Sequence, residues 1–231
     1  MRVPDFTLAA EFHGDFEAHV TVHCDEPELP DLAAWAASSV GTPGPGTATA
    51  MKVTHIVLGR GRVRSQPMLT ITGSGTLTDQ YAAVLDLERQ LVAGGFAPVR
   101  TKIEASPWAT GVPQDEAQAR RLGPAFYFEH HIKLVLNAGL GWDALVPVAL
   151  EHGAHVSWNA RRVLDGGRHE RFVTQRCHEV GLTEAGRRME ALCAALRDGG
   201  FEIVSVEREF VVFDSDASVD DGWIEQRGAS S

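Results

Sequence analysis

The chain has 231 residues, 44% of them apolar, with a formal charge of −10 and a pI near 5.4. That is apolar material for one large or two small packed domains, and the acidic balance excludes non-specific grip on nucleic-acid backbone, which depends on phosphate-neutralising cations. No apolar run approaches the ~20 residues of a bilayer span, and MRVPDFTLAAEF lacks the apolar core of a secretory signal. Cys24, Cys177 and Cys193 are scattered without C-x-x-C spacing, so the expectation is a cytoplasmic chain with reduced thiols and no membrane partner.

Residues 16–23 alternate as a strand, and 29–40 are Ala-rich and helical, with Asp31 near the start. A Gly/Pro loop fills 41–50, followed by a hairpin with strands at 51–58 and 67–72 around GRGRVR. Over 77–93 Leu77, Tyr81, Val84, Leu85, Leu91 and Val92 form one helical stripe, opened by Thr78 and stopped by Gly94-Gly95. Residues 96–105 return as a strand, and 106–124 read as a linker with a short helix at QDEAQARR. The order then recurs: strand 127–136, a helix within 141–153 shortened by Pro147, strands 154–158 and 171–176, helix 183–197 and strand 201–213. The acidic stretch from Asp214 reads as a tail that frays, with Trp223 and Ile224 docking.

YFEHHIKLVL at 127–136 repeats DFEAHVTV at 15–22, and Gly199-Gly200-Phe201 matches Gly94-Gly95-Phe96. The chain is therefore read as one module written twice. Strand, helix, strand, strand, helix, strand is the ferredoxin-like arrangement, so the expected fold is α+β, two tandem ferredoxin-like (βαββαβ) repeats forming a pseudo-twofold, two-lobed protein. The first repeat takes residues 1–105, the linker 106–124, the second repeat 125–213 and the tail 214–231. Helices cover one face of each sheet; the other faces are left to cover one another or to form a cleft.

Strand parity sets Glu17, His19 and Thr21 opposite Phe16, Ala18, Val20 and Val22, and Glu129, His131 and Lys133 opposite Phe128, Ile132 and Leu134. The two copies also pair His55 with His155, Thr70 with Thr174 and Glu104 with Glu209. Four histidines and four glutamates are thus expected on the open faces, the glutamates orienting imidazoles or ligating metal. Lys102, Lys133 and Arg176 share that parity and, with Thr70 and Thr174, suit an anionic small-molecule substrate. Arg60, Arg62, Arg64, Arg161, Arg162, Arg168 and Arg171 surround the two hairpins, where solvation alone also accounts for them. GRGRVR lacks the spacing of a phosphate loop. His130 has apolar parity and reads as a core residue.

His19-Val20-Thr21-Val22 and His155-Val156-Ser157-Trp158 share the pattern His, apolar, Thr or Ser, apolar, which resembles the 2H phosphoesterase superfamily. The resemblance implies a hydrolase or transferase of phosphorylated or nucleotide-like molecules, with one imidazole as base, the other as acid, and Thr21 and Ser157 on phosphoryl oxygens. It needs no cofactor. The motifs fall on non-equivalent strands, and their equivalents carry Lys133 and Val57 in place of the hydroxyl. Two other readings stand beside it. HHIKL at the start of a repeated module resembles vicinal-oxygen-chelate enzymes, implying a divalent metal on paired His and Glu. A duplicated sheet can also bind a ligand or assemble without doing chemistry.

Overall fold

A strand that is apolar on one side must bury that side, and β1 (His13–His23) does so: Phe16, Ala18, Val20 and Val22 are buried, while Glu17 and His19 between them are less so. The computed structural model describes residues 12–39, 51–136, 141–159 and 169–223. After β1 come α1 (Leu29–Ser39), β2 (Met51–Leu58), β3 (Ser65–Thr76), α2 (Leu77–Ala93), β4 (Ala97–Ala105) and α3 (Glu116–Leu122). Then follow β5 (Tyr127–Leu136), α4 (Trp142–Glu151), β6 (Ala154–Asn159), β7 (His169–His178), α5 (Leu182–Asp198) and β8 (Glu202–Asp214). The elements match the sequence reading in kind and order. The hairpin strands β3 and β7 run longer than expected because their polar ends, such as Ser74 opposite Asp15, still make ladder pairs. The cap of α2 is Thr76, which accepts from Asp79 N, rather than Thr78.

The fold is α+β, with eight antiparallel strands closed into a barrel in the order β1-β3-β2-β6-β7-β5-β8-β4. The first half contributes β4-β1-β3-β2 and the second β8-β5-β7-β6, the same order of equivalent strands. The halves meet edge to edge: β2 pairs with β6 from Ile56↔Asn159 to Leu58↔Ser157, and β4 pairs with β8 from Lys102↔Asp214 to Ala105↔Phe210. This differs from two faces covering one another. Edge strands carry unpaired N–H and C=O groups, and pairing them with the other half removes every edge and wraps both polar faces around one lumen.

Outside the wall, α1 buries Leu32 and Ala36 over β2, α2 buries Tyr81, Val84, Leu87 and Leu91 over β1, β3 and β4, and α4 and α5 bury Leu145, Ala149, Leu192, Cys193 and Leu196 over β5, β6 and β8. The three cysteines are buried and unbridged. Among the described residues, no helix is long and apolar enough to cross a membrane. The 106–124 stretch packs rather than hangs free: Ala109, Val112 and Ala119 are buried, Thr110 exchanges backbone hydrogen bonds with His13, and Pro113 O accepts from Leu182 N.

The stretch after β8 packs onto the barrel as far as Trp223, which docks as expected. A 3-10 turn at Ala217–Asp220 buries Val219 and Asp220, and Trp223 is buried with Nε1 donating to Val156 O. Ser215 bonds Thr101 on β4, Arg62 N donates to Asp221 O at the β2–β3 turn, and Trp223 reaches β6. The segment therefore crosses one mouth of the barrel as a strap. Ile224 lies outside the described residues.

Candidate metal centre in the barrel lumen

Register decides which side chains enter the lumen, because directly paired residues of neighbouring strands project to the same face. Glu17 pairs with Glu104 and Thr72, His19 with Lys102 and Thr70, and Thr21 with Arg100. Across the barrel, Glu129 pairs with Glu209 and Arg176, and His131 with Glu207 and Thr174. His155 pairs with Thr174, and Ser157 with Phe172, so both also face inward.

His55 does not. It pairs with Pro67, on the side of Leu69 and Ile71 that faces the helices, and its Nε2 lies 2.8 Å from Ser65 Oγ. The sequence equivalence of His55 with His155 thus fails in space, because β2 enters its half of the barrel one residue out of phase with β6. Arg171 also faces outward, over the rings of Trp142 and Trp158. His130 is buried on the helix side beside Gln175 Oε1, as its parity requires. Arg161, Arg162 and Arg168 lie outside the described residues.

At the centre the two Glu-x-His motifs come together. His19 Nδ1 lies 2.9 Å from Thr70 Oγ1, and its Nε2 lies 2.8 Å from Glu104 Oε2 and 3.5 Å from Glu17 Oε1. His131 repeats this: Nδ1 is 3.0 Å from Thr174 Oγ1, and Nε2 is 3.1 Å from Glu129 Oε1 and 3.3 Å from Glu209 Oε2. Each hydroxyl fixes its ring so that Nε2 faces the carboxylates. Glu209 links the two halves, since donor atoms of Glu17, His19 and Glu209 fall within 4.8 Å of one another, and so do those of Glu104, His131 and Glu209. Glu209 Oε2 is a buried atom with no aligned hydrogen bond.

Among the described residues, three permanent cations cluster at the centre and strap side of the lumen, and each is already held. Lys102 Nζ lies 2.7 Å from Glu104 and 2.5 Å from Glu129. Arg176 binds Glu129 at 2.5 Å and Asp220 at 2.7 Å, and Arg100 binds Asp214 at 2.6 Å and Asp220 at 2.9 Å. Against them stand Glu17, Glu104, Glu129, Glu209, Asp214 and Asp220, twice as many carboxylates. Nearer the other mouth, Lys133 is held by Glu170 at 2.7 Å. Burial opposes charge on His131, but the carboxylates of Glu129 and Glu209 beside its Nε2 outweigh it and push its pKa up to about 10; Glu104 likewise raises that of His19. Burial, reinforced by the charge of Glu104, raises the pKa of Glu209. Against the same burial, Lys102 and His19 hold Glu104 at about 2, and Arg176 with Lys102 hold Glu129 well below its ordinary value. The centre is a site for protons or a cation.

Access is one-sided. At the strap mouth Arg100, Asp214 and Asp220 are 6%, 6% and 4% exposed, whereas Glu17, toward the other mouth, is 37% exposed and His131 is 23% exposed. Of the residues the sequence reading set on two open faces, the structure brings His19, His131, His155, Thr21, Ser157, Thr70, Thr174, Lys102, Lys133, Arg176 and the four glutamates into one lumen. It missed Asp214, Asp220, Arg100 and Gln66, whose Nε2 donates to Asp220. The available signal was the parity of Arg100 with Lys102, which put two cations on a face whose compensating acids lie in DSDASVDD after β8.

No protein-family model matches the chain, and no curated protein matches it. Solved structures do. One is a chlorite dismutase from Candidatus Nitrospira defluvii in complex with imidazole, 11% identical, covering 87% of this chain and 92% of that one at a TM-score of 0.28. Another is a dye-decolorizing protein from V. cholerae, 13% identical, covering 86% and 94% at 0.28. A third is a Galdieria sulphuraria protein, 14% identical, covering 86% and 99% at 0.26. Likeness at this level carries no argument about activity.

Proposed function

We propose that the chain is an enzyme that holds a divalent transition metal in the barrel lumen through its paired Glu-x-His motifs, and that its halves are tandem ferredoxin-like repeats. The observation that carries the metal reading is Glu209, which presents a buried, unaligned carboxylate oxygen between two imidazoles whose Nε2 atoms point at carboxylates. Imidazole and carboxylate in this ratio suit zinc, manganese or iron(II). Thr70 and Thr174 would act behind the ligands, fixing the Nδ1 side of each ring. The metal supplies a Lewis acid for a substrate oxygen. The uncovered mouth supplies the approach, and strap-side cations keep the remaining carboxylates ionised.

The phosphodiester reading uses His19 and His155 as acid and base and is supported by their shared lumen with Thr21 and Ser157. It ranks second because Lys102, Lys133 and Arg176, the cations it needs for the anion, are each committed to carboxylates. The deciding experiment is metal analysis of chelator-stripped protein dialysed against zinc, manganese or iron(II), with His19→Ala and His131→Ala alongside. Stoichiometric metal in the wild type, lost or weakened at least tenfold in His19→Ala, supports the centre. Retention of none of the three metals overturns it and leaves cyclic-nucleotide hydrolysis as the assay to run.

A further inference from the structure

The metal reading leaves two overlapping donor sets, and an asymmetry between the halves chooses between them. Counted from Gly94-Gly95 and Gly199-Gly200, Glu104 corresponds to Glu209 and Lys102 to Glu207. The register repeats the correspondence, with Lys102 opposite His19 and Glu207 opposite His131, Glu104 opposite Glu17 and Glu209 opposite Glu129. In one position of this internal symmetry, the Lys102 ammonium lies between Glu104 and Glu129, at 2.7 and 2.5 Å. The equivalent carboxylates are Glu209 and Glu17. Where Lys102 would have its counterpart stands an acid, Glu207, and no lysine or arginine among the described residues pairs with Glu17 or Glu209.

The two positions therefore hold the same donors but different cations. A dication at Glu104, His131 and Glu209 would share Glu104 with an ammonium already 2.7 Å away, a like-charge contact in a poorly solvated lumen. At Glu17, His19 and Glu209 neither carboxylate is paired with an ammonium, Lys102 being held on Glu104 and Glu129, and His19 brings Thr70 to hold its ring. Resting on the metal reading, we infer that the lumen takes one divalent cation, at Glu17, His19 and Glu209, and that Lys102 is a built-in cation filling the equivalent second position.

The test is zinc stoichiometry and affinity on the full chain, by titration and by metal analysis after gel filtration. The wild type is expected to bind one zinc per chain. Glu207→Lys puts an ammonium at the equivalent position; Glu207 is exposed, so the fold is retained, and zinc affinity is expected to fall at least 100-fold while Glu207→Gln stays within a few-fold of wild type. Lys102→Ala is expected to bind two zinc ions. Because that variant leaves Glu104 and Glu129 short of a partner, its melting temperature is followed as well, and zinc should raise it more than it raises that of the wild type. Two zinc ions in the wild type, or one undiminished in Glu207→Lys, overturn the assignment while leaving the metal centre standing. No zinc, manganese or iron(II) in the wild type overturns both.

Discussion

The two mouths of the barrel are built from equivalent positions and have opposite chemistry. At the strap mouth Arg100, Arg176 and Gln66 face Asp214 and Asp220 in a closed network that excludes water. Their counterparts at the other mouth are Ser205, Thr72 and Glu170, with no guanidinium on the inward positions of β3 or β8. One end spends its polar groups on one another; the other leaves Thr72 exposed and Glu17 half-buried. The difference separates a floor from an entrance: two guanidinium groups, a glutamine and a crossing segment close one mouth and not the other.

The comparison is broken most severely at Arg176. Arg176→Ala strands Glu129 and Asp220 in a buried site and is expected to cost about 3–5 kcal/mol, read as a shift in urea midpoint. Asp220→Asn keeps the shape of the strap but removes the charge shared by two guanidinium groups, with an expected loss of about 1–3 kcal/mol. Thr72→Ala, at the position equivalent to Arg176, is expected to change stability by no more than about 0.5 kcal/mol. A larger effect there than at Arg176 would reverse the assignment of floor and entrance.

A pH series sharpens the same contrast. Glu104 and Glu129 have lowered folded values, so their stabilisation is present above the ordinary 4.5 and is lost as pH falls toward about 2. His131 is raised from 6.5 to about 10, so its contribution is full below 6.5 and is lost as pH rises toward 10, and the raised Glu209 is lost in the same direction. Metal-free protein should therefore be most stable near pH 4.5, with Glu209 beginning the alkaline decline above it and His131 steepening that decline above 6.5. His131→Gln should flatten the alkaline limb and leave the acid limb in place. An alkaline limb unchanged in that variant would show that His131 does not carry it.

Strand and helix identities were legible because period and punctuation are local: Gly94-Gly95 and Gly199-Gly200 stop helices wherever the rest of the chain lies. Glu17, His19, Glu129 and His131 were legible as well, since one strand's parity fixes its own face. The facing of His55 was not, because the phase of β2 relative to β3 is a register between strands and leaves no mark in MKVTHIVL. Closure into a barrel was equally hidden, depending on the short β2–β6 and β4–β8 pairings. Asp220 was missed because an acidic stretch after the last strand looks like solvent-facing sequence until two buried arginines are known to need it.

The strap has a consequence for how the chain is made. Synthesis runs from the N-terminus, so all eight strands precede the segment carrying Asp220, the carboxylate that two of their arginines share. The wall can pair while the ribosome is still adding residues, but its charges cannot balance until 215–223 have emerged, which makes closure the final step of maturation rather than an early one. A chain halted at Asp214 is accordingly expected to stay protease-sensitive where one extending through Trp223 resists. The order of assembly is written into the place of one aspartate in the sequence.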